Sequence, residues 1–483
     1  MRAGPRLLAL LLAAALPALG GCRDGETGPV DIVAIGDPPR LVNPNREALD
    51  PGSAFLLEAA AQGLVRFDAA GEIEPALAQR WTVSDDGLRY IFRLARAEWP
   101  DGSKITAQQV ATRLRAAASN SSRNPMKPIL GAIQDIVPMT DEVLEISLRA
   151  PRSGFLQLLA QPEMAVLRNG GGSGPYRLFA APDNAVELRL PPPEEEDGPA
   201  AEPPLIVHGA RASLAVARFR AGSADLVIGG TAGDLPIAQS AGTPANTLVF
   251  DPVGGLFGLS FGSIEGPLGE RDVRQALAMA IDRPAVVAAL RVPGLQITET
   301  ILPPGMEGIN PPAAPAWTAL PLPERKALAA ATLARLAPDR LRVRVALPGG
   351  PGWRLVFAHL RRDWAAVGVE AIQVDAKAAA ELRLVDQAAP VTLASWYLRH
   401  FACNASRVCD PAADELLAAA RIAPTPPNRR ALLAAADRII TDAAPFIPLA
   451  APVRWSLVSP RLNGFRANRF GRHPAGELIR RAP

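Results

Sequence analysis

Cysteine is nearly absent from this chain: three residues in 483, at positions 22, 403 and 409. Histidine is almost as scarce, with four residues, and lysine also has four. So few thiols and imidazoles exclude a metal-rich protein or a small scaffold built on disulfides. Arginine carries nearly all the positive charge, scattered along the chain, and the formal net charge is only +3. There is no dense basic block, so nothing points to nucleic acid. Beyond the N-terminal segment no run of eighteen apolar residues occurs, so no later segment reads as a transmembrane helix. The glycine-rich "GGGSGPYRLF" at 170–179 lacks the Gly-Lys-Ser/Thr ending of a phosphate loop. No nucleotide-binding motif is read in the chain, and no cofactor is implied. What is present is a globular composition, 48% hydrophobic and 20% charged. The chain is long enough for two or three domains with cores of their own.

The N-terminus is the most informative segment. Arg2 and Arg6 precede "LLALLLAAALPALGG", which stops at Cys22. The run is short and interrupted by Pro17, which suits a secretory signal better than a membrane span. "LGGC" resembles the lipobox of bacterial lipoproteins. That implies a signal peptide over 1–21, lipidation of Cys22, and a tether over 22–30. Acyl chains would hold the body at a membrane face, at about 0.8 kcal/mol per buried methylene. With Cys22 acylated, Cys403 and Cys409 remain as a matched pair in an oxidising compartment, which favours a disulfide. Closing so short a loop contributes about 2 kcal/mol by chain entropy. A zinc site needs four ligands, and His400 is the only other candidate nearby, so no metal is expected.

Elements follow from periodicity. Asp85-Asp86-Gly87 is a turn signal flanked by residues alternating at period two, the mark of a hairpin. Thr106 reads as the N-cap of a helix over "AQQVATRLRAAAS", and "EVLEISL" as another strand. "PPPEEEDGPAAEPP" at 191–204 reads as a solvated loop. From Glu270 helices and strands alternate: "ERDVRQALAMAI", then a helix capped by Asp282, one near 324–336, strand "LRVRVAL", a helix over 353–367, strand "EAIQV", a short helix and strand "VTLAS". Two amphipathic helices, "PAADELLAAARI" and "NRRALLAAADRIITDA", come after the cysteine pair. The alternation implies an α/β layer with a partly parallel sheet. Trp396 to His400 would then lie just past the C-terminal end of "VTLAS", the end that faces the ligand crevice in open α/β sheets.

Several segments together resemble the solute-binding proteins of peptide-type ABC importers. They are "QGLVRFDAAGEIEPALAQRWTVSDDGLRYIFRL", "WPDGSKITAQQV", "GPYRL", "RFRAGSADLVI", "RDVRQALAMAIDR" and "ADRIITDAAPFIPL", running on to "NGF". They occur in the family's order and cover most of the chain beyond the signal segment. The resemblance implies the large, three-domain, two-lobed periplasmic binding fold. Lobe I would be discontinuous, over 31–48, 171–255 and 445–483, with a subdomain over 49–170 and lobe II over 256–444. Hinge strands would cross near 251–253 and 445–451. It also implies a monomer held in the periplasm by its lipid anchor, a peptide-like small-molecule ligand, and permease subunits with a cytoplasmic ATPase as partners.

In the family's peptide binders an Asp a few residues after the Trp of this strand pairs with the ligand's ammonium group. The matching position here is Arg399, which prefers a carboxylate or phosphate. The ligand is therefore expected to be anionic or modified. Trp396, Tyr397, Arg399 and His400 are the candidate contacts, with Asn43 and Asn45 after the first strand; all but His400 have bland alternatives as core, turn or solvent-facing residues. Two other readings compete. One is a lipid-anchored sensor or scaffold of the same fold without transport. The other is a serine hydrolase, since "GLSFG" at 258–262 matches G-x-S-x-G around Ser260. That motif needs a sharp turn at the serine and a helix at once, whereas the alternation of Leu256, Phe257, Leu259 and Phe261 suggests a strand running through it.

Overall fold

The computed structural model describes residues 28–168, 170–191 and 202–479. The signal peptide, Cys22, most of the tether and most of the acidic proline-rich loop lie outside the described residues. Within them the chain is an α/β protein whose three larger sheets organise the fold.

The first sheet has seven strands, in the order Arg177–Ala181, Ala185–Arg189, Leu205–Ala210, Val30–Ile35, Leu226–Thr231, Arg454–Val458 and Leu248–Asp251. Val30–Ile35 pairs in parallel with both its neighbours. Parallel strands covered on both faces read as apolar runs, and "VDIVAI" is such a run, with Val30, Ile32 and Val33 inaccessible. The helix Pro51–Ala60 covers one face. Asp50 caps it by accepting from the Ser53 N–H at 2.8 Å, and Pro51 fills the first turn, where a missing N–H costs nothing.

A four-stranded antiparallel sheet follows, Ala78–Val83, Arg89–Leu94, Val143–Leu148 and Ile133–Pro138. Its hairpin turns at Gly87, whose φ is +67°. Thr106 caps the helix Ala107–Ala118 as expected, and Gln109 bonds back to it to complete a capping box. Trp99 is buried and donates to Gln109 Oε1 at 2.8 Å, a packing role.

The third sheet has five strands, Glu370–Asp375, Arg342–Leu347, Leu382–Ala388, Gly255–Phe261 and Phe446–Ala450. Helices Arg271–Met279, Leu322–Leu336 and Pro351–Ala365 accompany it, and Pro411–Arg421 packs on Pro426–Ala443. Two crossings join the first sheet to the third. Leu248–Asp251 leads through residues 252–254 into Gly255–Phe261, and Phe446–Ala450 leads through 451–453 into Arg454–Val458. Gly255 has φ +153°, and a Cβ there would lie 2.0 Å from the Gln387 carbonyl oxygen, so only glycine fits this crossing.

Three placements differ from the sequence reading. The short helix expected after "EAIQV" is not formed: residues 376–381 are turns and loop that lead into the strand Leu382–Ala388. "VTLAS" is not a strand: residues 389–393 are a loop, and the helix Ala394–Arg399 begins within it. The strand is Leu382–Ala388, the alternation in "LRLVDQA". Val391 and Leu393 are buried because they insert into the core of the four-stranded layer, not because they pair in a sheet. Phe446–Ala450, which a boundary at 445 would give to lobe I, pairs antiparallel with Gly255–Phe261 in the five-stranded sheet.

Candidate functional site

A cleft of about 1000 Å³ lies between the first sheet, the four-stranded layer and the five-stranded layer. Its floor comes from the C-terminal end of Leu226–Thr231, from the head of the helix Pro51–Ala60, and from Arg454 to Ser456. Carboxyl ends of parallel strands present free backbone and helix N-termini, which is where open α/β sheets place ligands. Gly229 makes the floor possible. Its φ is +83°, and a Cβ would sit 2.8 Å from Pro51. The opposite wall comes from residues 387–390, the helix Ala394–Arg399, the loop after it, and the helix Pro411–Arg421.

The two walls carry different charge. On the opposite wall, guanidinium groups gather at the C-terminal end of Pro411–Arg421. Arg399 and Arg421 line the cleft. Arg152 donates to the Arg421 carbonyl, and Arg429 donates to the Ala420 carbonyl at 2.8 Å. Helix-terminal carbonyls attract cations, but among the described residues only one carboxylate pairs with the four side chains. Glu307 lies 3.0 Å from Arg429 Nε. Arg399 forms no ion pair among the described residues; it donates to the Pro128 carbonyl across the cleft at 2.5 Å. Burial, then the charges of Arg421 and Arg429, pull its pKa down to about 10. Burial and Arg429 pull Arg152 down to about 10 as well, against the opposing pull of Glu307.

On the side of the helix Pro51–Ala60 the excess is negative. Arg472 lies 4.0 Å from Glu58 and 3.6 Å from Glu163, one guanidinium between two carboxylates. Burial pushes the Glu58 carboxyl above its ordinary range, Arg472 opposes this, and Glu163 adds to it. Asp251, beside them, accepts from the Asn468 N–H at 3.0 Å and sits 3.2 Å from His473 Nε2. Near the crossings Arg454 pairs with Asp386 at 2.9 Å, tying the first sheet to the third.

Trp396, Arg399 and His400 therefore share the cleft. The His400 ring nitrogens lie 2.8 Å from the Trp396 carbonyl and 2.8 Å from Gln387 Oε1. Burial lowers its pKa, so the ring is neutral near pH 7. Tyr397 is placed apart. It is inaccessible, packs with Leu256, Leu398 and Phe401 beneath the helix, and has its phenol pushed up to about 12 by burial. Asn43 and Asn45 also lie outside the cleft. They form a turn, with the Asn45 N–H donating to Asn43 Oδ1 at 2.9 Å, and line a separate cavity of about 450 Å³. Cys403 and Cys409 form a disulfide, Cα to Cα 5.0 Å, in the loop that lines the cleft. Ser260 sits inside the strand Gly255–Phe261, and the turn that a nucleophile elbow requires is not there. No group of three or more potential metal ligands occurs among the described residues.

The sequence reading missed Arg152, Arg421, Glu58, Glu163 and Arg472. Only Glu58 carried a signal: a single acid within the apolar helical stretch "FLLEAAAQ", where an ordinary buried face would have none.

Comparison with known proteins gives a consistent result. The model of the bacterial extracellular solute-binding proteins, family 5 Middle, matches residues 72–401. A probable di/tripeptide-binding protein 5 of Pseudomonas aeruginosa is 25% identical over 477 residues, covering 85% of this chain and 88% of the relative. The nickel-binding periplasmic protein of Escherichia coli is 25% identical over 292 residues; that match takes in 55% of this chain and about half the relative's length, 54%. Among solved structures, the murein tripeptide binding protein MppA of Escherichia coli superposes with a TM-score of 0.81 at 19% identity, covering 94% of this chain and 98% of its own. The unliganded open form of MppA scores 0.65, at 19% identity and 94% and 97% coverage.

Proposed function

Because the chain belongs to family 5 of the bacterial extracellular solute-binding proteins, we propose that it is the substrate-binding component of an ABC importer. It captures a peptide-like or anionic solute between two lobes and delivers it unaltered to membrane permease subunits powered by a cytoplasmic ATPase. The body is a periplasmic monomer, tethered to a membrane through lipidated Cys22. Lobe I is built on the seven-stranded sheet with the four-stranded layer as its subdomain, and lobe II on the five-stranded sheet. The crossings at 252–254 and 451–453 act as hinges. Ligand contacts from both lobes favour the closed state, and the hinges absorb the rotation.

One observation carries the anionic assignment: four guanidiniums, Arg152, Arg399, Arg421 and Arg429, meet around one helix end, and among the described residues a single carboxylate pairs with any of them. An anion in the cleft would supply the missing countercharge, as a charge-assisted bond to Arg399. Native mass spectrometry of protein purified from its own periplasm identifies the retained solute, and Arg399→Ala tests its seat. The substitution should weaken that solute about 10- to 100-fold, the loss of one bond to a charged group. Unchanged affinity would remove Arg399 from the site. A sensor of the same fold would bind and close in the same way, and loss of uptake on gene deletion separates the two.

A further inference from the structure

The cavity beside Asn43 and Asn45 is separate from the cleft and holds about 450 Å³. Small-molecule sites run from about 300 to 1,000 Å³. Three stretches distant in sequence wall it: the turn at 43–46, the end of the helix Ala107–Ala118 with the serines after it, and residues 163–165. Asn124 is 3% exposed and ties the three together. Its Nδ2 donates to Asn45 Oδ1 at 2.9 Å and to the Glu163 carbonyl at 2.7 Å, and its N–H donates to Ser122 Oγ at 3.1 Å. The wall is set before any occupant arrives, which spares a ligand the cost of ordering it.

The uncommitted groups on that wall are donors. Arg46 and Arg113 line the cavity and form no ion pair or side-chain hydrogen bond among the described residues. Asn43 Oδ1 is taken by the Asn45 N–H, which leaves the Asn43 amide protons to be given. Glu163 is the one acid lining the cavity among the described residues, and its Oε1 lies 3.6 Å from Arg472 of the cleft. A helix end favours cations, but Ser119 offsets this one, donating its hydroxyl to the Ala116 carbonyl at 2.8 Å. With that proton committed, the Ser121 hydroxyl, 3.3 Å from Ser119 Oγ, can turn its own to an occupant. Two guanidiniums, an amide and a hydroxyl ask for an anion with several acceptor oxygens. A phosphate monoester supplies three, and the room beyond it suits an organic body.

We propose that this cavity is a second binding site, for a small organic phosphate whose phosphoryl group is held by Arg46 and Arg113 with Asn43 and Ser121. The site stands apart from the solute cleft and does not depend on what the cleft binds.

The test titrates glucose 6-phosphate, sn-glycerol 3-phosphate, orthophosphate and glucose calorimetrically into the full protein. At least one ester should bind, glucose should not, and orthophosphate should bind about tenfold or more weakly than the better ester. The preferred ester separates a free sugar phosphate from a lipid-derived headgroup. Arg46→Gln and Arg113→Gln should each weaken that ester about tenfold or more, the loss of one charge-assisted bond. Their melting temperatures should match the wild type, since neither guanidinium has a partner to lose among the described residues. Arg399→Ala, in the cleft, should leave ester affinity unchanged. If Arg399→Ala weakens the ester and the cavity variants do not, the ester sits in the cleft and the second site is wrong, while the anionic reading of the cleft survives. Orthophosphate binding as tightly as either ester would overturn the organic class. Failure of both esters to bind would overturn the site.

Discussion

Asp437 has no accessible surface, yet it sits on the helix Pro426–Ala443 as an acid. Its Oδ2 accepts from the Ala313 N–H at 2.7 Å, and Thr441 lies 3.5 Å from the other oxygen. Those bonds do not offset the loss of water, and burial pushes its pKa from 3.8 up to about 6. The sign follows from proton uptake. Between these two values the folded protein binds more protons at this site than the unfolded chain, so stability falls as pH rises. The cost is absent below the unfolded value, complete above the folded one, and about 3 kcal/mol at most. Asp437→Asn keeps the acceptor and removes the charge. Urea unfolding at pH 4, 5, 6 and 7 should show the wild type losing stability relative to this variant across that window; parallel profiles would contradict the assignment. The same distinction governs what could be read in advance at the site. Arg399 was legible because it replaces an Asp at a matched position, and Trp396 and His400 because they accompany it. Arg152, Arg421 and Arg472 were not, since each acquires its role from partners distant in sequence. Arg152 meets the helix end at Arg421, 269 residues away.

Between the helices Ala394–Arg399 and Pro411–Arg421 runs a short loop whose residues Ala402, Asn404 and Ala405 line the cleft. Two devices hold it. Cys403 is bonded to Cys409, and the Cys403 N–H donates to Asp414 Oδ2 at 3.1 Å. Cross-linking so few residues restricts the unfolded chain and also keeps the loop ordered before ligand arrives. The double variant Cys403→Ser, Cys409→Ser should lose about 2 kcal/mol of stability, seen as a lower unfolding midpoint, and should bind the native solute more weakly. Dithiothreitol should reproduce both effects in the wild type and have none in the variant. A wild type indifferent to reductant would show that the loop is held by other contacts. Elements such as this were mostly legible. The Asp85-Asp86-Gly87 hairpin, the Thr106 capping box and the helix opened by Asp282 carry local signals, because turns and caps are satisfied within a few residues of themselves. "VTLAS" failed for the opposite reason. Its apolar alternation answers to a different layer of the molecule, and burial alone does not say which neighbour provides it.

At the scale of the whole molecule the four-stranded layer and the segment after Leu382–Ala388 meet at the edge of the cleft. Specific contacts hold them together. Gln161 Nε2 donates to the Pro390 carbonyl at 2.5 Å, and Gln157 Oε1 accepts from the Thr392 hydroxyl at 2.8 Å. Between those polar bonds Val391 and Leu393, which follow the five-stranded sheet in sequence, are buried in the core of the four-stranded layer. Separating the layers would return both side chains to water, so under the proposed clamp this apolar peg favours closure. Truncating a buried leucine costs about 2–5 kcal/mol where its surroundings cannot collapse. In Leu393→Ala that loss should fall mainly on closure rather than on folding. Small-angle scattering should then show the unliganded variant more extended than the wild type. The native solute should bind it more weakly, by the fraction of molecules no longer competent, and at saturation the two proteins should scatter alike. An equally compact variant with unchanged affinity and only a lower melting temperature would make Leu393 a core residue and nothing more. The peg and the charges of the cleft then divide the work: apolar contact brings the lobes within reach, and the solute completes the electrostatic match that keeps them there.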